Sequence, residues 1–202
     1  SEKYGIQMRG NQTFNPTDYP SQDYSDTKDA IIANNILAYS KNGSGIVVWG
    51  SNDDNMRIEN NIFYENWQEG PTSYPNGVNC VGCSGSTGII IRNNLFYASG
   101  PGGTVGISAD LIEGVNYTQS GNIINTSNPG FVDAPATRPE TPNFKLNERS
   151  PAIDKGLPLT TIGIDLDGIP RPQGRTYDIG AYEFRLGTDN QSPAVPQALH
   201  AH

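Results

Sequence analysis

The residues best suited to chemistry recur at matched places in four glycine-led segments. These segments begin at Gly5, Gly45, Gly77 and Gly106, and each continues with an apolar residue and then alternation. Alternation at period two places every second side chain on the same face of a strand. The outward positions are Gln7, Arg9, Val47, Trp49, Asn79, Val81, Ser108 and Asp110. An aromatic ring among amide, hydroxyl and charged groups suits a sugar chain, because sugar rings pack on Trp while hydroxyls accept and donate hydrogen bonds.

We therefore expect a shallow carbohydrate-facing ridge with Trp49 near its middle. The residues predicted to contact sugar are Trp49, Gln7, Asn79, Ser108, Trp67 and Tyr74. Trp67 and Tyr74 belong to the polar loop at 67–76, which either adds further ring platforms or covers Trp49. Both arrangements remain open from the sequence.

Charged side chains near this ridge indicate two possible reactions. β-Elimination on a uronic-acid polymer needs a base for the C5 proton and a cation or Ca²⁺ at the sugar carboxylate. Arg9 is the best-placed cation, and Lys41 lies on a loop. Hydrolysis instead needs two carboxylates about 5–10 Å apart, and the pair to consider is Asp110 with Asp53 or Asp54. The predicted catalytic residues are thus Arg9, Asp110 and Lys41.

The turn at 52–55, which reads NDDN, offers Asp53 and Asp54 as oxygen ligands for Ca²⁺. An ordinary solvated turn explains the same residues and is the favoured interpretation. Arg57, Arg92 and Glu59 stand at related strand positions, which predicts a surface ladder of ion pairs.

Cys80 and Cys83, the two cysteines, form a C-x-x-C motif. A redox pair would call for a helix N-terminus and a zinc site for four ligands, and neither is visible in the sequence. Two simpler interpretations are favoured. Either Cys80 fills an inward strand position as a small apolar residue, or the pair closes a local disulfide in an oxidising compartment.

Asparagine pairs between short apolar runs indicate how these segments are positioned. They fall at Asn34-Asn35, Asn60-Asn61 and Asn93-Asn94, with a degraded copy at Gly121-Asn122. Asn tolerates the left-handed backbone of a tight corner, and the spacings of 26, 33 and 28 residues lie within the range of repeat proteins. The pattern predicts an all-β parallel solenoid of about four coils with a ladder of asparagines.

The composition excludes several classes of partner. Among 202 residues the net charge is −8, and no basic stripe is present, which argues against nucleic acid. No apolar run approaches the roughly 20 residues of a membrane span. The chain opens inside what reads as a coil, so either an upstream β-helix segment or a processed terminus is expected before Ser1.

From residue 129 onward the repeat gives way to NPGFVD, FKL, SPAIDKG, DLDGIPRP and DIGAYEF. These motifs resemble the C-terminal closing region of secreted right-handed parallel β-helix proteins, including bacterial polysaccharide lyase-like proteins. The resemblance implies β-helix coils at 1–128, an irregular closing region at 129–186 and a linker or tail at 187–202. It also implies a secreted or cell-surface protein that acts on or binds an extracellular polysaccharide. Lyase activity is expected first, with a non-catalytic glycan-binding or adhesin solenoid and an Asp-pair glycoside hydrolase as alternatives.

The closing region should cap the end of the solenoid, because an open end exposes a sheet edge and an apolar cross-section. Its expected apolar anchors are Phe131, Phe144, Leu146, Ile153, Ile164, Ile179, Tyr182 and Phe184. A charge network is expected at Asp165, Asp167, Arg171 and Asp178. Ca²⁺ at Asp165 and Asp167 is one interpretation, and an ion pair made by Arg171 is the favoured one.

Overall fold

The structure is a computed structural model. It describes residues 6–9, 28–40, 44–49, 54–66, 77–81, 85–97, 106–107, 111–124, 129–135 and 140–187, with only the backbone at 6–9, 49 and 81. The strands are β1 (Ile6–Arg9), β2 (Ile31–Ala33), β3 (Ile36–Ala38), β4 (Ile46–Trp49), β5 (Arg57–Glu59), β6 (Ile62–Tyr64), β7 (Val78–Val81), β8 (Ile89–Arg92), β9 (Leu95–Tyr97), β10 (Tyr117–Ser120), β11 (Ile123–Ile124), β12 (Phe131–Asp133) and β13 (Asn143–Leu146). In these ranges no helix is long and apolar enough to cross a membrane.

The first eleven strands lie in three parallel sheets. The first sheet is β1-β4-β7, the second is β2-β5-β8-β10 and the third is β3-β6-β9-β11. Each strand pairs in register with the strand one repeat away, as Ile46 does with Ile6 and with Val78. The fourth glycine-led segment joins the first sheet through a single bridge between Ile107 and Val78. The predictions of an all-β protein and of one sheet for the glycine-led segments are confirmed.

One apolar cluster is shared by all three sheets, and the side of each sheet that contributes to it is here called the inner face. Ile46, Val48, Val78 and Cys80 contribute from the first sheet, as the alternation predicts. The second and third sheets contribute mainly Ile32, Ile58, Ile91, Leu37, Phe63 and Phe96. Cys80 is fully buried in this cluster and is disulfide-bonded, so it fills an inward strand position and also takes part in a disulfide.

The asparagine corners have the predicted left-handed backbone. Asn34, Asn60 and Asn93 have φ of 55°, 54° and 55°, and Gly121 takes the same place with φ 62°. Each of these residues ends a strand of the second sheet and starts the turn into the third. Because a β-branched or bulky residue rarely adopts this conformation, the residue type follows from the geometry of the corner.

The second residue of each corner forms a continuous hydrogen-bonded ladder. The Asn61 side-chain oxygen accepts from the backbone N–H of Asn35 at 2.9 Å and from its amide group at 3.0 Å. Asn94 accepts from Asn61 in the same way, at 2.9 and 3.0 Å, and Asn122 accepts from Asn94 at 2.8 and 3.1 Å. The Asn61 amide also donates to the Ile32 carbonyl oxygen at 2.9 Å, so buried backbone groups of neighbouring repeats are satisfied.

The closing region packs along the side of the third sheet, whereas the sequence predicted a cap across the end. Its strands β12 and β13 are antiparallel, and its apolar residues share a cluster with Ile62, Leu95, Tyr64 and Tyr97. These four residues are on β6 and β9, where Phe63 and Phe96 between them belong to the inner cluster. Both faces of the third sheet are therefore buried, which removes the need for a polar outer face.

Hydrogen bonds fasten the closing region to the first and third repeats. Asn34 donates its amide to the Ile164 carbonyl oxygen at 2.8 Å. Two repeats further on, Asn93 accepts from the Leu157 N–H at 2.8 Å, and its carbonyl accepts from the Gly180 N–H at 2.9 Å. The predicted anchors are buried or half-buried except Ile164, which is 54% exposed. Ile164 contributes its backbone instead of its side chain.

A buried ion pair lies at the centre of the closing region. Arg171 donates to the Glu183 carboxylate at 2.6 Å, to the Gly180 carbonyl oxygen at 2.8 Å and to the Asn34 side-chain oxygen at 3.2 Å. Arg171 therefore forms an ion pair as predicted, but its partner is Glu183, which lies outside the predicted charge network. Asp165 accepts backbone N–H groups on both oxygens, one of them from Glu183 at 3.0 Å. Its oxygens are thus engaged within the fold.

Candidate functional site

The register of the first sheet brings together the outward residues predicted from its strands. Gln7, Val47 and Asn79 form one column across β1, β4 and β7, and Arg9 pairs with Trp49 in the next column. Neighbouring strands lie about 4.8 Å apart, and alternate residues along a strand are about 6.6 Å apart. Five predicted positions therefore lie within an area of a few sugar rings.

The backbone fixes which face these residues occupy, and two side chains show how accessible it is. Val47 is 0% exposed and Asn79 is 3% exposed, although both lie on the face opposite the inner cluster. The prediction of an open ridge is wrong at this column. Alternation decides the face of a side chain but carries no information about what packs over it. For Gln7, Arg9 and Trp49 the side chains lie outside the description.

Asn79 has an unusual environment for a buried amide. Its side-chain nitrogen is buried and has no hydrogen-bond partner among the described residues. Leaving a buried donor unsatisfied costs roughly 1–3 kcal/mol. An oxygen atom from a bound molecule would recover this free energy. Asn79 is therefore the predicted sugar-contacting residue for which the structure supplies a chemical reason.

Several predicted site residues lie outside the described part of the chain. They are Lys41, Asp53, Trp67, Tyr74, Ser108 and Asp110. The distances that the two catalytic proposals need, from Asp110 or Lys41 to other groups, are consequently outside the described structure. The same holds for the choice between a lid and a platform for Trp67 and Tyr74.

Both oxygens of the Asp54 carboxylate have partners within the fold. One oxygen accepts from the Thr87 N–H at 3.0 Å and from the Thr87 hydroxyl at 2.9 Å. The other lies 3.6 Å from the ammonium group of Lys28. The Thr87 hydrogen bonds, followed by the charge of Lys28, hold the pKa of Asp54 below its ordinary value. No cluster of metal-binding side chains occurs within the described ranges, so Ca²⁺ at Asp53 and Asp54 stays a prediction.

The outer face of the second sheet carries functional groups that the sequence did not assign to a site. Glu59 is 0% exposed and lies between two guanidinium groups, 2.8 Å from Arg57 and 2.7 Å from Arg92. The predicted pairing of these three residues is confirmed, but its central carboxylate is buried instead of solvated. Arg57 also donates to the Thr161 hydroxyl of the closing region, which covers this part of the sheet.

A groove of about 330 Å³ lies further along the same sheet. Its walls include Ile90, Val115, Asn55 and Thr118. The signal in the sequence was the apolar residue at position 90, which faces outward in a strand whose inner positions are also apolar. Outward apolar residues on a half-exposed sheet mark either packing or a binding surface.

Comparison with protein-family models, with curated proteins and with solved structures finds no match for this chain. The class that the fold and site define is therefore a repetitive all-β protein with parallel sheets.

Proposed function

We propose that this chain is a right-handed parallel β-helix protein that binds an extracellular polysaccharide on the outer face of its first sheet. Three parallel sheets entered in turn, one shared apolar cluster and an in-register asparagine ladder all support the helical arrangement. Connections between parallel strands are right-handed in nearly all proteins, which supports the hand. The lengthwise stack of strands suits an extended polymer better than a compact ligand.

The observation that carries the binding proposal is the unpartnered amide of Asn79 beside the Trp49 column. Asn79 pairs with Val47 on β4, two residues before Trp49, which puts the two about 7–8 Å apart across the sheet. A sugar ring stacked on the indole would carry its hydroxyl or carboxylate oxygens at the distance of the amide, and the Asn79 side chain, 3% exposed, would become accessible to them only on binding. Trp49 supplies the apolar platform and Asn79 the hydrogen-bond donor.

Arg9 supports a catalytic version of the same proposal. It pairs directly with Trp49 across β1 and β4, so the two residues occupy neighbouring positions on the sheet, and a guanidinium is a group suited to neutralising a uronate carboxylate. Neutralising that carboxylate acidifies the C5 proton and favours β-elimination. Lys41 or Asp110 would take the C5 proton, the bond between C4 and the glycosidic oxygen would break as the C4–C5 double bond forms, and the departing oxygen would take a proton from water or from that same base.

The disulfide supports an extracellular location. Disulfides persist in oxidising compartments and are rare in the cytosol, and Cys80 is disulfide-bonded within the apolar cluster. Because the net charge is −8, a polyanionic polysaccharide would bind only where local cations such as Arg9 offset the overall repulsion. A neutral polysaccharide would meet no such repulsion.

Trp49→Ala and Asn79→Ala are the variants that test binding, with Leu186→Ala as a control at an exposed apolar residue. A glycan array followed by calorimetry on the best ligand should show at least a tenfold loss for both variants and none for the control. Unchanged affinity in Trp49→Ala would remove the first sheet from the site.

Catalysis is tested separately by ultraviolet absorbance on polyuronate substrates with added Ca²⁺, which detects the unsaturated product of β-elimination. Activity in the native protein that disappears in Arg9→Ala supports a lyase. Absence of product with retained glycan binding leaves a non-catalytic binding protein, and full activity in Arg9→Ala excludes Arg9 as the cation.

A further inference from the structure

The groove on the second sheet has the shape and lining of a small ligand site. Its volume of about 330 Å³ lies at the lower end of the range for small-molecule pockets, roughly 300–1,000 Å³. Ile90 and the exposed Val115 form an apolar wall, whereas Asn55 and Thr118 present polar groups. One apolar wall with polar edges matches a pyranose ring, which has a hydrocarbon face and a hydroxyl rim.

Two glycines border this groove. A Cβ atom at Gly88 would lie 2.6 Å from the side-chain oxygen of Asn55, so any larger residue would displace that amide. Gly114 has φ 81°, a conformation that L side chains rarely adopt.

The arginine cluster lies next to the groove on the same face of the sheet. Ile90 pairs with Arg57 on one side and with Thr118 on the other. Arg92 follows Ile90 by two residues on β8, so it shares the outer face about 6.6 Å away. This separation is about the length of one sugar residue.

The cluster of Arg57, Glu59 and Arg92 carries a net positive charge. Glu59 supplies one negative charge between the guanidinium groups of Arg57 and Arg92, whose side chains are 20% and 27% exposed. Arg92 uses its Nε for Glu59 at 2.7 Å, and its two terminal nitrogens have no acceptor within the described ranges. Ser120 pairs with Arg92 in register and is exposed, which adds a hydroxyl beside them.

We propose that this face is a second glycan site, which takes an acidic sugar residue with its ring over Ile90 and Val115 and its anionic group at Arg92 and Ser120. Near the other end of the groove, Asn55 donates to the Asp29 carboxylate at 3.2 Å. That carboxylate disfavours an anionic group at that end, so the anion is placed at Arg92. The inference shares only the ligand class with the proposed function, since the second sheet contributes no residue to the Trp49 face.

The test measures binding in a Trp49→Ala background, so that the first sheet does not contribute. Calorimetry is done with a galacturonate tetramer, with its methyl ester as the uncharged analogue and with a sulfated galactose tetramer. Both acidic probes are expected to bind at least tenfold more tightly than the ester, and 0.5 M salt should reduce the difference. A preference for one acidic probe identifies carboxylate or sulfate as the group recognised.

Thr118→Tyr fills the groove from an exposed position and should lower the affinity for the acidic probes at least tenfold, with Thr160→Tyr as the control.

Arg92→Lys keeps a charge beside Glu59 while removing the fork of donors, and should lower the preference for acid over ester, with Arg149→Lys as the control. Equal binding of acid and ester, unchanged binding in Thr118→Tyr, or no binding of either acidic probe overturns the proposal. If the acidic probes bind the native protein but not the Trp49→Ala background, the first site is supported and the second is contradicted.

Discussion

A Cβ atom added to Gly77 would lie 2.5 Å from Cδ1 of Phe96, and one added to Gly45 would lie 2.5 Å from Cδ1 of Phe63. The two rings are stacked, with centroids 4.6 Å apart and planes 4° from parallel. Each phenylalanine ring therefore occupies the space that a side chain would need at the start of a strand in the first sheet. This contact explains why these strands are preceded by glycine.

Gly77→Ala is expected to destabilise the protein by about 1–3 kcal/mol, because the added methyl group overpacks a fully buried stack. Gly163→Ala is the matched control, since a Cβ atom there meets nothing within 4 Å. Urea unfolding measures both. A Gly77→Ala variant as stable as Gly163→Ala would mean that the Phe96 ring can move aside at no cost.

Asn61→Ala is expected to destabilise the protein by about 3 kcal/mol, because it removes the acceptor for Asn35 and the donor for the Ile32 carbonyl oxygen. Asn143→Ala is the control, since that side chain is half-buried and accepts one backbone hydrogen bond, from Lys145 at 3.1 Å. Denaturant midpoints of the two variants give the comparison. Similar midpoints would show that the ladder contributes no more than an ordinary asparagine.

The corners and the strand faces could be predicted because both depend on local chemistry. The left-handed backbone at Asn34, Asn60 and Asn93 selects the residue type directly. Likewise, strand alternation placed Ile46 and Val48 in the apolar cluster. Information of this kind is contained within a few neighbouring residues.

The position of the closing region could not be predicted in the same way, because it depends on contacts between distant residues. Tyr64 donates to the Ala134 carbonyl oxygen and Tyr39 to that of Pro135 at 2.8 Å. One signal was present in the sequence: Ile62, Phe63 and Tyr64 are three consecutive large apolar or aromatic residues. All three are buried in the structure. A strand without alternation is buried on both faces, and this pattern in the third sheet indicated that something covers it.

Arg171→Met is expected to destabilise the protein by about 3–5 kcal/mol, because it leaves the carboxylate of Glu183 buried without a cation. The double variant Arg171→Met/Glu183→Gln should recover part of this loss, since the uncompensated charge is gone. Arg175→Met, at an exposed residue, is the control. Thermal unfolding of these variants and of the single variant Glu183→Gln measures the coupling, and additive effects of the two substitutions would argue against the ion pair.

Asp178 should make stability depend on pH in mildly acid solution. Burial, helped by the charges of Glu183 and Asp154, raises its pKa to about 6 against the lowering effect of two backbone N–H donors. Because the folded-state pKa exceeds the unfolded one, near 3.9, the folded protein holds the proton more tightly. The resulting stabilisation is complete below about pH 4 and is lost as pH rises through 6, by up to about 3 kcal/mol.

Asp178→Asn is expected to abolish this component, so the difference in unfolding free energy between variant and native protein should change between pH 4 and 7. Denaturant titrations at several pH values measure it, and the titration of the Asp178 carboxyl by NMR gives the pKa directly. A constant difference across that range would place the pKa of Asp178 at its ordinary value.

Asn79→Leu is expected to separate stability from binding. The Asn79 amide nitrogen is buried with no partner among the described residues, so a leucine of similar volume removes an unsatisfied donor and should stabilise the protein by about 1–2 kcal/mol. The same change removes the proposed donor to sugar oxygens and should weaken glycan binding at least tenfold. Such a trade-off is typical of functional sites that retain a locally unfavourable group. Denaturant midpoints and calorimetry on the same samples measure both effects, and a variant that loses stability would show that the Asn79 amide serves the fold instead.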